Sequence, residues 1–161
     1  MCATRLMAGR AAPLASDSTP MVNVLFACVH NAGRSQMAAA LFNQLADPAR
    51  ARARSAGTQP ASRVHPEVVD AMREIDVDLS SAATTTLTAD LARSVQLLVT
   101  MGCGEQCPVV AGVERDDWPV GDPKGQSVAR VREIRDEIRG RIERLVRSKG
   151  WERRPGPDHH D

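Results

Sequence analysis

The sequence predicts an α/β fold, a three-layer sandwich in which helices cover both faces of a central, parallel, four-stranded sheet. Apolar, strand-like runs alternate along the chain with helix-like stretches. The clearest helix lies near the end, where apolar residues recur every three or four positions from Val128 to Leu145. At 161 residues and 42% hydrophobic side chains, the chain suits one domain with a substantial core.

The predicted elements alternate in the order typical of a parallel sheet. They are strand 21–27, helix 35–46, a short strand at 52–55, helices 65–75 and 88–93, strand 95–101 and a long helix 126–147. A fourth strand is expected at 109–115, where Gly112 interrupts a short apolar run.

The two ends of the chain differ in composition from the part between them. Residues 1–20 are rich in Ala, Ser, Thr and Pro, and residues 150–161 form a polar end with Pro, Gly and His. Both segments are expected to be disordered, so the domain is predicted at 21–149. The first segment lacks the apolar run of a secretory signal, which favours a cytoplasmic location with reduced thiols.

The charges of the chain are nearly balanced. Lys and Arg together number 21 and Asp and Glu 20, a formal net charge of +1. Binding of nucleic acid or of an anionic membrane surface usually needs an excess of positive charge. Neither nucleic acid nor a membrane is therefore a predicted partner.

The segment CVHNAGRS, from Cys28 to Ser35, carries the strongest functional signal, because it joins a predicted strand to a predicted helix. Backbone N–H groups of such a loop can turn towards a tetrahedral oxyanion at the positive end of a helix dipole. The same spacing of Cys and Arg also occurs by chance, but the strand, glycine and helix around it favour an anion site. The predicted oxyanion-binding residues are Val29, His30, Asn31, Ala32, Gly33 and Arg34.

Individual side chains of the loop have distinct expected roles. The inward N–H groups favour the thiolate of Cys28, which makes it the predicted nucleophile. The Arg34 guanidinium can bind two oxygens of the anion at once. Ser35 is placed to donate a hydrogen bond to the Cys28 sulfur, and Asn31 to brace the loop. The His30 side chain is expected to point away from the anion.

Two further cysteines, Cys103 and Cys107, follow the strand 95–101 at C-x-x-x-C spacing. Ligands of open α/β sheets bind at the carboxyl ends of the strands, so the pair is expected near Cys28. It can be half of a zinc site, a pair of inert buried thiols, or a redox pair. Because a second Cys pair is missing and His159 and His160 lie in the polar end, no metal site is predicted. Cys2 has no assigned role.

The loop from Cys28 to Ala38 resembles the active-site loop of arsenate reductases built on the low-molecular-weight protein tyrosine phosphatase fold. The resemblance spans about 22–147 and includes the segments 55–58, 65–72, 99–108 and 118–125. It implies that fold, reduction of arsenate to arsenite, and no tightly bound cofactor. It also implies that Asp122, in an Asp-Pro turn, is the general acid. Ala39 replaces a glutamate that helps bind potassium in some relatives, so no potassium site is predicted.

The resemblance leaves the second thiol of the reaction open. In thioredoxin-coupled relatives a second cysteine attacks the sulfur that bears arsenic and a third closes a disulfide, roles open here to Cys103 and Cys107. The short spacing of this pair and the preceding Met101-Gly102 resemble instead the branch that uses mycothiol, with mycoredoxin reducing the mixed disulfide. Mycothiol is the expected donor.

Two other functions stay open. Tyrosine phosphatases of this fold usually line the cleft with aromatic side chains, whereas this chain has no Tyr, and Lys124 follows the Asp-Pro turn. This composition disfavours phosphotyrosine, although the loop and the acid also suit small aryl phosphates. A non-catalytic protein that binds oxyanions or arsenite through its thiols would not need a general acid such as Asp122.

Overall fold

The computed structural model describes residues 20–103 and 107–153. Cys2 and most of the extension predicted at 1–20 lie outside the described residues, as do residues 154–161 of the predicted tail. The strands are β1 (Val22–Cys28), β2 (Ala51–Gly57), β3 (Leu97–Thr100) and β4 (Glu114–Asp117). The helices are α1 (Arg34–Leu45), α2 (Pro66–Arg73), α3 (Ala89–Arg93) and α4 (Val128–Lys149).

The four strands form one parallel sheet in the order β2-β1-β3-β4, which confirms the predicted fold class. Strand β1 is central, so Cys28 at its end pairs with Gly57 of β2, and Ala27 pairs with Thr100 of β3. The carboxyl ends of all four strands therefore lie along one edge of the sheet. The loop after Cys28 leaves the sheet at this edge.

Helices cover the two faces of the sheet unequally. The larger hydrophobic core lies on the face of α1, α2 and α4, and its largest fully buried side chains include Phe26, Phe42, Met37, Leu41, Met72, Ile134, Ile138 and Ile142. A smaller cluster on the opposite face is covered by the short α3 and consists of Leu25, Ala27, Ala56, Val95, Leu98, Cys103 and Cys107, with Leu91 packed on it. The three layers match the prediction, and the layer formed by α3 is the thin one.

The fourth strand differs from the prediction at 109–115. The apolar run ends in a turn, in which Val113 donates its N–H to Val110 and Gly112 has the left-handed φ of 84°. Pairing with β3 starts only after this turn, at Glu114. All four residues of β4 are exposed. An edge strand is joined to the sheet through its backbone, so a charged sequence is compatible with it.

The remaining boundaries agree closely with the pattern of the sequence. Strand β2 is longer than the predicted 52–55. Helix α4 begins after Ser127, whose side chain accepts a hydrogen bond from the N–H of Arg130, and ends at Lys149, where Gly150 caps it with a φ of 73°. No helix among the described residues is long and apolar enough to cross a membrane.

Residues after α4 pack against α1. The Trp151 ring lies edge-on to Phe42 at 5.8 Å between centroids. The guanidinium of Arg153 donates hydrogen bonds to the carbonyl oxygens of Gln44 and Asn43 at 2.8 and 2.9 Å, which satisfies carbonyls at the end of α1. The packed part of the chain thus extends past the predicted boundary at 149.

Candidate active site

The anion loop, residues 28–35, joins the central strand to helix α1. Cys28 is the last residue of β1 and is buried, and Arg34 is the first residue of α1. No side chain caps the start of α1. Among the described residues, the backbone N–H groups of His30, Ala32 and Gly33 donate no hydrogen bond. These donors at the positive end of the helix dipole are thus available to an oxyanion.

The Cys28 sulfur lies close to two hydrogen-bond donors. The Ser35 hydroxyl lies 2.9 Å from Sγ, and the backbone N–H of Asn31 donates to Sγ at 3.3 Å. The Asn31 amide donates to the Ser35 oxygen at 2.8 Å, which leaves the Ser35 proton free to point at the sulfur. Both donors favour negative charge on Sγ, as a nucleophile and leaving group require.

Asn31 is the internal brace of the loop. It is completely buried and has a φ of 51°, a left-handed conformation that few residues other than Gly and Asn adopt. Its side-chain oxygen accepts hydrogen bonds from the N–H of Thr85 at 2.8 Å and from the Gln36 amide at 3.3 Å. The Gln36 amide also donates to the Ala83 carbonyl at 3.0 Å. These bonds anchor the anion loop to the segment that precedes α3.

Arg34 is buried and points from the start of α1 towards the ends of β3 and β4. Its Nη1 donates to the Val120 carbonyl at 3.3 Å, and its Nη2 lies 3.8 Å from a carboxylate oxygen of Asp122. Gly102, which follows β3, lies so close to the guanidinium that a side chain at this position would collide with it. The backbone around Arg34 therefore fixes the guanidinium over the loop.

Asp122 lies in an exposed turn beside the anion loop. Its Oδ1 accepts a hydrogen bond from the N–H of Lys124 at 3.0 Å. The next residue, Pro123, is buried against Gly33, where there is no room for a Cβ atom. The structure thus brings the predicted acid to the predicted anion site, with Arg34 between the turn and the loop.

Cys103 and Cys107 form a disulfide with 5.6 Å between their Cα atoms. Both are buried in the smaller hydrophobic cluster, whereas Cys28 belongs to the larger core on the other face. The Cys103 sulfur lies 3.9 Å from the carbonyl oxygen of Ala27, the residue before Cys28. The pair is therefore at the edge of the sheet that carries the anion loop. Among the described residues, no three His, Cys, Asp or Glu side chains cluster to hold a metal ion.

Two histidines lie beside the loop. The Nδ1 of His30 lies 3.1 Å from the Gln59 carbonyl oxygen in an exposed contact. His65 precedes α2, and its N–H donates to the Ala32 carbonyl at 3.0 Å. Burial lowers the pKa of His65 below its usual 6.5, although the carboxylates of Glu67 and Asp122 oppose this shift. Through its backbone N–H, His65 ties the anion loop to the start of α2.

Three residues near the site carry no individual signal in the sequence. Gly57 and Gly102 each leave space for a neighbouring group, the anion loop and Arg34 respectively. Glu67 accepts a hydrogen bond from the N–H of Gly125, just beyond Asp122. Only contacts made in the folded chain distinguish these residues, although a glycine near the end of a strand is a weak hint of close approach.

A comparison with protein families identifies this arrangement. The model of the low molecular weight phosphotyrosine protein phosphatase family matches residues 23–152. The chain belongs to this family. The matched region includes the anion loop with Arg34, the acid Asp122, and the pair Cys103 and Cys107.

Several proteins that resemble this chain are named as arsenate reductases. A putative arsenate reductase of Halobacterium salinarum is 38% identical over 135 residues, which cover 80% of this chain and 92% of that protein. The structure of a thioredoxin-dependent arsenate reductase of Corynebacterium glutamicum is similar with a TM-score of 0.70 and 40% identity, over 88% of this chain and 70% of that one. The structure of an arsenate reductase of Archaeoglobus fulgidus is similar with a TM-score of 0.65 and 31% identity, over 76% of this chain and 98% of that one.

Proposed function

We propose that this protein is an arsenate reductase that uses Cys28 as its nucleophile. The observation that carries the proposal is the Cys103–Cys107 disulfide at the sheet edge that bears the anion loop. Hydrolysis of a phosphate ester needs the loop, the arginine and the acid but no second redox-active thiol. The names of the Halobacterium and Corynebacterium relatives support the same conclusion.

In the first step, the loop N–H groups and Arg34 hold arsenate above the Cys28 sulfur. The thiolate attacks arsenic, so an S–As bond forms and an As–O bond breaks. Asp122 donates a proton to the departing oxygen, which leaves as water. The 3.8 Å between Arg34 and Asp122 supports this division of roles, because the guanidinium and the acid face the same small volume. The product is a Cys28 adduct of arsenic(V).

In the second step, another thiolate attacks the Cys28 sulfur. A disulfide forms, the S–As bond breaks and its electron pair stays on arsenic, which is reduced from As(V) to As(III) and leaves as arsenite. Ser35, 2.9 Å from Sγ, stabilises the Cys28 thiolate before the first attack and again when Cys28 later leaves this disulfide. The two electrons come from the two thiols that become the disulfide.

Cys103 is the second thiol in this proposal, and Cys107 then closes the disulfide and frees Cys28. The oxidised pair, with Cα atoms 5.6 Å apart, has the form that the chain would take at the end of such a cycle. A thioredoxin would reduce it. The alternative donor is mycothiol with mycoredoxin, for which Cys103 and Cys107 are dispensable.

The test measures arsenite formed from arsenate by the purified full chain, with thioredoxin and its reductase or with mycothiol and mycoredoxin. We expect turnover with thioredoxin, its loss in Cys28→Ser, Cys103→Ser and Cys107→Ser, and full turnover in the control Cys2→Ser. Turnover with mycothiol alone that survives both Cys103→Ser and Cys107→Ser would reassign the second thiol. Rapid hydrolysis of aryl phosphates without arsenite formation would identify a phosphatase instead. Arsenate reduction by Cys28→Ser would overturn the mechanism.

A further inference from the structure

The turn that carries Asp122 is tied to helix α2 by one hydrogen bond. The Glu67 carboxylate accepts the N–H of Gly125 at 3.1 Å. Glu67 is the second residue of α2, and Gly125 has a left-handed φ of 70°, which a glycine adopts without strain. Hydrogen bonds to a carboxylate are stronger than those between neutral groups.

The other contacts of this turn lie mostly at Asp122 and Pro123, so the bond to Glu67 is the one that holds Gly125. Asp122 accepts the N–H of Lys124 within the turn, its other carboxylate oxygen lies 3.8 Å from Nη2 of Arg34, and Pro123 packs against Gly33. Arg34 holds the residue before the turn through the Val120 carbonyl. Within residues 20–103 and 107–153, Glu67 is the only side chain outside the turn that hydrogen-bonds to residues 121–125.

We propose that Glu67 is a positioning residue for the reaction, acting through Asp122. Its carboxylate holds the far end of the turn on α2, while Arg34 holds the near end, so that Asp122 stays over the anion loop. Without Glu67 the exposed Asp122 samples positions from which it cannot reach the departing oxygen. This inference rests on the proposed function for its reaction, but its structural part does not.

The decisive variants are Glu67→Ala, which removes the acceptor, and Glu67→Gln, which retains a side-chain oxygen able to accept the Gly125 N–H. The matched control is Asp70→Asn, an exposed acidic residue on the same helix whose partner is Arg73. Each is made in the full chain and also combined with Asp122→Ala. The rates of arsenite formation and of aryl phosphate hydrolysis are measured, together with amide hydrogen exchange at Gly125.

In Glu67→Ala we expect kcat to fall about tenfold with KM changed less than about twofold, since a general acid contributes roughly 10²–10⁴ in rate and is only partly misplaced. Glu67→Gln should recover most of the rate, and Asp70→Asn should match the original protein. Exchange at Gly125 should accelerate only in Glu67→Ala. With Asp122→Ala already present, Glu67→Ala should cause no further loss.

An unchanged kcat in Glu67→Ala, or an equal further loss in the Asp122→Ala background, would overturn the positioning role. Failure of the proposed function has a different signature, because the unmodified protein would then form no arsenite. If that protein hydrolyses aryl phosphates instead, the same comparison of Glu67 and Asp122 variants decides the role of Glu67 in that reaction. If it has neither activity, unaltered exchange at Gly125 in Glu67→Ala refutes the tether.

Discussion

Gly102 lies directly against the guanidinium of Arg34, so the residue that precedes Cys103 also shapes the anion site. A Cβ atom at position 102 would overlap Nη1, and the φ of 95° at Gly102 is unfavourable for any other residue. The segment that carries the disulfide and the arginine that faces the anion are thus in direct contact.

Gly102→Ala should displace Arg34 and weaken oxyanion binding about 10- to 100-fold, since a hydrogen bond to a charged group is worth roughly 1.5–3 kcal/mol. Calorimetric titration with arsenate or phosphate measures this change. The control is Gly112→Ala, which has a similar left-handed φ of 84° but no atom near the new Cβ. An anion affinity in Gly102→Ala equal to that in Gly112→Ala would contradict the prediction that a side chain at position 102 weakens binding by displacing Arg34.

Asn31→Ala should disturb both folding and the site. It removes the hydrogen bonds of the buried Asn31 side chain to Thr85, Gln36 and Ser35, so we expect the free energy of unfolding to fall by roughly 2–4 kcal/mol. Urea denaturation measures the loss. Asn43→Ala is the control, because Asn43 also bonds a backbone N–H and carbonyl, those of Ala53, far from the anion loop. It should lower stability but leave anion affinity unchanged.

Glu74 makes stability depend on pH in the acid range. Hydrogen bonds from Arg132 and Arg135 lower its pKa from 4.5 to about 2. A carboxylate with a depressed pKa in the folded state stabilises fully above its unfolded pKa and loses that contribution as pH falls through the folded one. Glu74→Gln should therefore reduce the loss of stability between about pH 4.5 and pH 2.

Denaturant unfolding at pH 6 and at pH 3 tests this prediction for Glu74. The control is Glu143→Gln, which removes an exposed carboxylate that lies 3.5 Å from Arg139 on the surface of α4. The same pH dependence in both variants would exclude Glu74 as a significant source of acid sensitivity.

Trp151→Ala should lower the free energy of unfolding by about 1–3 kcal/mol, less than the roughly 3–5 kcal/mol of a fully buried aromatic, because Trp151 is half-buried. Its ring packs on Phe42, and its carbonyl accepts the N–H of Asp47. Thermal unfolding measures the effect, with the exposed Glu152→Gln as control. A melting temperature equal to that of the control would mean that the Trp151 ring adds nothing to the stability of the core.

Local sequence predicts the parts of this protein that are contiguous in the chain. Cys28, Arg34 and the strand and helix around them share one short segment, so the anion loop is predictable from that segment, whereas the position of the Arg34 guanidinium also depends on Gly102 and Val120. The prediction of a strand at 109–115 is wrong about the position of β4, because an exposed, charged edge strand has no apolar alternation. Contacts such as Glu67 with Gly125, separated by 58 residues, arise from the tertiary fold and leave no local pattern.

The central position of β1 keeps the nucleophile Cys28 away from the two outer edges of the sheet. Cys28 is on the strand with neighbours on both sides, while the two outer strands present Arg52 and Arg54 at one border and Glu114–Asp117 at the other. Mutations can therefore accumulate on either border during evolution without moving the nucleophile. Surface charge and association behaviour can diverge between descendants of this protein while the reacting atoms stay in place.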